Sequence, residues 1–358
     1  MNITVLALFD RISLYHSLKP FLLCPGQPGF SVLGHSFTFT DSPEFCVKKD
    51  TARVLVIVRL FLKPPLVDYG LMEKLRGKYD RIVFFNGYPG GGIRHGRLLS
   101  YVDLYYNKSL FKNRKLYTTR LYGNELFSDY YHKRFDINDD PDVTVDPVDD
   151  ASALTRLRLS WNIGIGDFPR AKYKQRVGVL LARLLGIEWS RPFAKRSNPP
   201  MRRNTGRYPV HARFGYQSQP TITFQRRIIQ QKIAGHPAFL TGPVAQRQYN
   251  YEVQNSRIVL SPFGWGELCF RDYEAVQSGA LLVKPDMSHL ETWPDIFMPG
   301  ETYVPIAWDG SDVIEKCEYY LTHETERRRI AENAYNVYRS QTENLCIRFR
   351  EAIREIAG

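Results

Sequence analysis

The stretch from Arg257 to Pro285, RIVLSPFGWGELCFRDYEAVQSGALLVKP, leaves the chain little choice of local architecture. Arg257–Ser261 is an apolar run of strand length, and Pro262, which has no backbone N–H to donate, follows it directly. Gly264 and Gly266 then flank Trp265, and a loop with two glycines lets its backbone approach a neighbour or ligand closely. Cys269–Ser278 has the spacing of an amphipathic helix. Gly279 stands where a helix ends in a left-handed residue, and Ala280–Val283 reads as a second buried strand. Free amides and the positive dipole end at the start of that helix suit a phosphate group, and Arg271, one turn in, can reinforce it.

The same alternation runs through the rest of the chain. Ile3–Phe9, Arg53–Leu60 (RVLVIVRL) and Arg81–Asn86 (RIVFFN) read as buried strands, with an amphipathic helix around Asp68–Lys78. Arg81–Asn86 ends in the turn Gly87-Tyr88-Pro89-Gly90-Gly91-Gly92. Tyr101–Tyr106 and Arg156–Trp161 read as further strands, and Tyr173–Leu185 as a basic helix closed by Gly186. Ser190–Pro209 is rich in Pro, Arg and Asn with no apolar period, which marks a linker. Beyond it come Val210–Phe214 as a strand, Thr223–Ile233 as a helix and Ala238–Leu240 as a short strand. Helices run from Ser311 to the end, with a break near Tyr338–Glu343. Continuous β-branched runs separated by helices imply parallel sheets covered on both faces.

At 358 residues the chain is long enough for two cores. The expected fold is α/β, with two doubly wound Rossmann-like domains and a cleft between them as the default ligand site. Residues 1–195 form the first domain, 196–209 the basic linker and 210–340 the second domain. Residues 341–358 form a terminal helix expected to pack back on the first.

Charge is concentrated rather than spread. The net charge is +12, and between Arg170 and Lys232 there are 15 Lys and Arg against one acid, Glu188. That excess reads as a solvated face, a site for an anionic substrate or membrane surface, or a nucleic-acid site. Asp136–Asp150 (DINDDPDVTVDPVDD) carries seven Asp and no base, and it lacks the glycine turn and terminal Glu of a calcium loop. The five cysteines, Cys24, Cys46, Cys269, Cys317 and Cys346, are scattered, with no CxxC pair and no metal-ligand spacing. Reduced thiols are the expectation. The apolar N-terminus reads as a strand rather than a signal peptide, and no run approaches membrane-spanning length. A cytoplasmic location is expected, for a chain either free in the cytosol or resting on a membrane surface.

The pattern SPFGxGE–xxxR–xxEA–xxxGALLVKP resembles the donor-binding signature of GT-B glycosyltransferases, closest to the exostosin-type branch and related bacterial enzymes. The likeness is dense from Arg257 to Pro285. It continues weakly at His211-Ala212-Arg213-Phe214 and at Phe297–Pro305. It implies a nucleotide-sugar donor, UDP- or GDP-linked, and a glycan or glycoconjugate acceptor. Glu274 then binds hydroxyls of the donor's ribose or sugar, while Arg271, Arg213, Gly264 and Gly266 hold the nucleotide and diphosphate. Trp265 either stacks on the base or anchors its loop. Glu267 matches the first acid of the retaining family's Glu-x7-Glu pair, although here only six residues separate Glu267 from Glu274.

Fixed Arg groups and helix amides can stabilise the leaving diphosphate, and no DxD triplet stands beside a donor strand, so no metal or other cofactor is expected. An inverting reaction needs a base from the first domain, for which Asp10, His95 and Asp103 are candidates, His95 foremost. Two rivals remain: a non-catalytic protein that grips nucleic acid or anionic polysaccharide, and a sugar-nucleotide epimerase. The absence of a nucleic-acid motif disfavours the nucleic-acid form of the first.

Overall fold

The computed structural model of the chain describes all residues except 26–33, 59–66, 94, 140–146, 167–171, 195–200, 202–203 and 217–218. Parts of the predicted linker and of the acidic run therefore lie outside the described residues. The first half contributes β1 (Asn2–Ala7), β2 (Ser36–Thr40), β3 (Val54–Val58), β4 (Arg81–Phe85), β5 (Leu104–Asn107), β6 (Ser109–Phe111) and β7 (Leu157–Leu159). All but β6 form one parallel sheet in the order β2-β1-β3-β4-β5-β7. The second half contributes β8 (Tyr208–His211), β9 (Phe239–Leu240), β10 (Ser256–Leu260), β11 (Leu281–Pro285), β12 (Leu290–Thr292) and β13 (Val304–Ile306). All but β12 form a second parallel sheet, β13-β11-β10-β8-β9. β6 and β12 pair antiparallel, Ser109 opposite Thr292 and Phe111 opposite Leu290, so a short ribbon stitches the halves together.

Eleven α-helices flank the sheets among the described residues. They are α1 (Lys19–Leu23), α2 (Pro43–Lys48), α3 (Tyr69–Arg76), α4 (Leu126–Phe135), α5 (Lys172–Leu185), α6 (Pro220–Ile233), α7 (Gln246–Gln254), α8 (Phe270–Gln277), α9 (Val313–Thr322), α10 (Glu324–Glu343) and α11 (Leu345–Ala357). Every residue of β3 is buried because helices cover both faces of its sheet. α3 begins at Asp68, whose carboxylate accepts the Leu71 N–H at 2.9 Å, and it turns Met72 and Leu75 inward. α8 ends at Gly279, at φ +66°, where a side chain would be strained.

Both strand orders reverse near the start of the sheet's chain path. In the first sheet β1 has β2 on one side and β3 on the other; in the second, β8 lies between β9 and β10. Crossovers leave a crevice outside the carboxyl ends at such a point, and that is where ligands bind in open α/β sheets. One core cluster runs through both halves, from Leu55, Phe84 and Phe111 to Val259, Phe263 and Tyr273. A second lies between the other face of the first sheet, α1 and α11.

α11 crosses back onto the first sheet, with Phe349 against Phe21 at a ring separation of 4.6 Å. The crossing corrects the expectation of reduced thiols. Cys24 and Cys346, 322 residues apart, are joined in a disulfide, whereas Cys46, Cys269 and Cys317 are unpaired. Spacing hides such a link, because only the return of the last helix brings the two sulfurs together. Among the described residues no helix is long and apolar enough to cross a membrane.

The disulfide shortens the unfolded chain's reach, so Cys346→Ser is expected to cost about 2–4 kcal/mol of unfolding free energy. Denaturant titration of the variant, and of the wild type with and without reductant, checks this. Coincident midpoints would contradict it.

Candidate functional site

The carboxyl ends of the two sheets face one cleft of about 600 Å³. From the first half it is lined by Arg11, Ile12 and His16 after β1, Gly87 and Pro89 after β4, Lys108 after β5 and Ile163 after β7. From the second come Arg226 on α6, Gln246 and Tyr249 on α7, and Gly264, Trp265, Leu268–Arg271 and Glu274 around the start of α8. Among the described residues, four basic side chains thus face a single carboxylate. Lys108 is buried and donates to the Gly87 carbonyl at 3.0 Å, a charged hydrogen bond holding the turn after β4.

Arg271 and Glu274 stand three residues apart on α8 and so share a face. Tyr249 bridges them. Its hydroxyl donates to Glu274 Oε2 at 3.1 Å, while Arg271 Nε donates to the same hydroxyl at 3.3 Å. Burial pushes the Tyr249 phenol up, which keeps it a donor at neutral pH. Arg271 also donates to the Arg213 carbonyl at 3.1 Å, which ties the α8 face to the end of β8. Arg226 fixes the start of the glycine loop, donating to Phe263 O at 3.1 Å and to Gly215 O at 2.6 Å.

The two glycine motifs meet. A Cβ on Gly266 would stand 2.6 Å from the Gly90 nitrogen and 2.7 Å from the Pro89 carbonyl carbon, so only glycine fits against the opposite backbone. A Cβ on Gly264 would stand 2.6 Å from Cys269 Sγ. Trp265, between them, is 65% exposed on the rim of the cleft.

Glu267 is fully buried and is not among the cleft-lining residues. Its Oε2 accepts the Gly91 N–H at 3.2 Å, and Oε1 lies 3.6 Å from His289 Nε2. Burial alone would raise this carboxyl. Hydrogen bonding and charge from His289, with a hydrogen bond from Glu125, outweigh it and hold Glu267 below the usual range. Glu267 therefore binds the first half's turn to the second half instead of presenting a carboxylate to the cleft.

Arg213 is also engaged elsewhere. Its guanidinium grips both oxygens of Glu252 and the carbonyls of Thr241 and Gly242, and it does not line the cleft. The start of α8 is less open than the sequence implies, because Asp272 in its first turn accepts the Cys269 N–H at 2.9 Å. Asp272 is itself buried beside Lys284 Nζ at 3.2 Å.

None of the three expected bases lines the cleft. Asp10 accepts the Ser13 N–H at 2.7 Å and opens the turn after β1. Asp103 pairs with Arg76 at 2.5 Å and accepts the Ile82 N–H at 2.8 Å. His95 is half-buried just before the short turn Gly96–Ser100. The imidazole that does reach the cleft is that of His16, buried and 5.4 Å from the Phe270 ring. Arg11, His16 and Lys108 follow strand ends, a signal that could have singled them out. Arg226 and Tyr249 reach the cleft from helices whose pattern gives no such sign.

Residues 217–346 match the family described as Glycosyl transferase-like, which bears out the glycosyltransferase reading of the second half. The match does not single out the exostosin-type branch. No curated protein matches the chain at a significant level. In fold the chain is similar to the Anabaena protein HepE, solved with UDP-glucose, at 9% identity over 99% of this chain and 100% of that one, TM-score 0.46. It is also similar to a glycosyltransferase from Rickettsia africae, at 10% identity over 99% and 98% of the two chains, TM-score 0.46. A third is the UDP-forming trehalose-phosphate synthase of Burkholderia vietnamiensis, at 11% identity over 85% and 75%, TM-score 0.44. The GT-B arrangement itself rests on the sheet orders: two Rossmann-like sheets turn their carboxyl edges to one cleft.

Beside the cleft, His211 is fully buried, and burial, reinforced by the charges of Arg271 and Arg213, lowers its pKa to about 3. Glu252 lies 3.8 Å away but is already held by Arg213. The unfolded histidine titrates near about 6.5, so between that pH and about 3 the unfolded state binds the extra proton. This contribution to stability is complete above about pH 6.5 and is lost progressively as the pH falls. Thermal melts from about pH 7 to about pH 4.5 should therefore fall more steeply for the wild type than for His211→Gln. Parallel curves would show that His211 does not contribute.

Proposed function

We propose that the chain moves a sugar from a UDP- or GDP-linked donor to a hydroxyl of a glycan or glycoconjugate acceptor, without a metal. The observation that carries this is the charge of the cleft, where, among the described residues, Arg11, Lys108, Arg226 and Arg271 face one carboxylate, Glu274. A nucleoside diphosphate gains negative charge as it leaves, and cations already fixed by carbonyl and tyrosine contacts stabilise it with no reorganisation. The donor lies on the second half, with its sugar or ribose hydroxyls on Glu274 and its base against Trp265. The likeness of the SPFGxGE segment to the exostosin-type branch supports the same placement.

The acceptor enters from the first half. In an inverting transfer its oxygen bonds to the anomeric carbon, the bond from that carbon to the phosphate oxygen breaks, and the acceptor proton passes to a base. His16 is the group placed for that role, since it reaches the cleft where His95, Asp10 and Asp103 do not. Glu267 acts as a positioning residue for the Gly87–Gly92 turn. The non-catalytic binder and the epimerase are not favoured, because the family match falls on a glycosyl transferase-like region.

Calorimetry against UDP, GDP and their sugars tests the reading. One nucleotide should bind, Arg271→Ala and Glu274→Ala should each weaken it at least about tenfold, and His16→Gln should keep binding while losing about 10²–10⁴ in turnover. Absence of binding to every nucleotide by folded protein would overturn it. Consumption of the nucleotide sugar with no acceptor present would favour the epimerase.

A further inference from the structure

We propose that α5 lays its outward face on an anionic membrane surface. Tyr173, Val177, Leu180 and Leu184 recur at the spacing of one helical face, and that face points away from the protein. Tyr173 is 80% exposed, Leu184 69% and Leu180 56%, and Trp189 in the following turn is also 56% exposed. Lys174, Arg176 and Arg183 stand exposed on either side of the apolar stripe. Arg191 follows in the next turn, and Glu188 is the only acid from Tyr173 to Ala194.

The helix cannot roll to bury this stripe. Its inner face carries Gln175 and Ala182, both buried, and Gln175 Oε1 accepts from Arg11 Nη1 at 3.3 Å. Gly178 packs so closely on Tyr15 that a Cβ there would stand 1.8 Å from the tyrosine hydroxyl oxygen. The outward face is thus apolar by composition and held in place by packing. An apolar stripe bordered by basic side chains matches the interface of an anionic bilayer, with the rings and leucines among the acyl chains and the cations at the headgroups.

Other occupants fit less well. A second copy on the same face would set Lys174, Arg176 and Arg183 against their own like charges. Nucleic acid could stack on Tyr173 and Trp189, but it would leave Leu180 and Leu184, 56% and 69% exposed, without an apolar partner. α5 also packs directly behind the segment that carries Arg11 and His16 into the cleft. A lipid-carried acceptor would therefore be presented to the half of the chain that carries Arg11 and His16. That consequence rests on the transferase reading; the docking does not.

Sedimentation of the full chain with vesicles tests the docking without any nucleotide. One set is phosphatidylcholine alone, and the other contains about 30 mol% phosphatidylserine. The wild type is expected to pellet with the anionic vesicles, not the neutral ones, and to be released by salt. Leu180→Gln/Leu184→Gln should bind at least about tenfold more weakly at an unchanged melting temperature. No binding, equal binding to both compositions, or undiminished binding by the double variant would overturn the proposal. So would a concentration-dependent dimer, seen by light scattering, that the double variant abolishes. Because no sugar nucleotide enters the assay, its failure leaves the transferase reading standing, and failure of that reading leaves this result intact.

Discussion

Two loop backbones touch at Gly266 and Gly90, and the shape of the cleft depends on that contact. A methyl group on Gly266 would stand under 3 Å from three backbone atoms of Pro89 and Gly90, and backbone cannot rotate aside as a side chain can. The approach sets the carboxyl edges of the two sheets against each other, so loops from both line one space. Glu267 holds the same junction from below through the Gly91 amide. With every polar group at this depth needing a partner, the carboxylate, the amide and His289 become a single buried unit. Further across the interface, Tyr273 donates to Asn162 at 2.9 Å and Tyr338 to the Gly164 carbonyl at 2.7 Å.

The cleft's chemistry follows from how its charges are held. Arg271, Arg226 and Lys108 each donate to a main-chain carbonyl, and Tyr249 links Arg271 to Glu274. Their positions are therefore set before any ligand arrives, which is the condition under which fixed charge stabilises a leaving anion best. Arg213 shows the contrary case. It has the same residue type at a strand end, but Glu252 and two carbonyls engage its guanidinium, and it takes no place in the cleft lining.

The sequence made some of this legible and hid the rest for identifiable reasons. The runs VLVIV, IVFF and LLV stand out because strands buried on both faces are built almost wholly of apolar residues; Lys284, which continues the last run, is buried only with Asp272 beside it. β2, SFTFT, lies at the sheet edge and mixes hydroxyls with rings, so it carries no such mark. β6 and β12 are three residues each and exist through their pairing across the halves. Gly264, Trp265, Gly266, Arg271 and Glu274 were readable because a strand, a loop and a helix fix their spacing within one segment. His16 outranks His95 for a reason of topology: β1 and β4 lie in one sheet, but only the turn after β1 carries an imidazole into the cleft.

Hydrogen exchange of the full chain with and without a saturating nucleoside diphosphate tests the central claim, that both sheet edges hold one ligand. Slowed exchange is expected in four places at once: the turn after β1 around Arg11–His16, the Gly87–Gly92 turn, the segment from Gln246 to Tyr249 and the segment from Gly264 to Glu274. Protection confined to the second half, or centred on the separate cavity of about 400 Å³ beside Arg257 and Arg327, would contradict it.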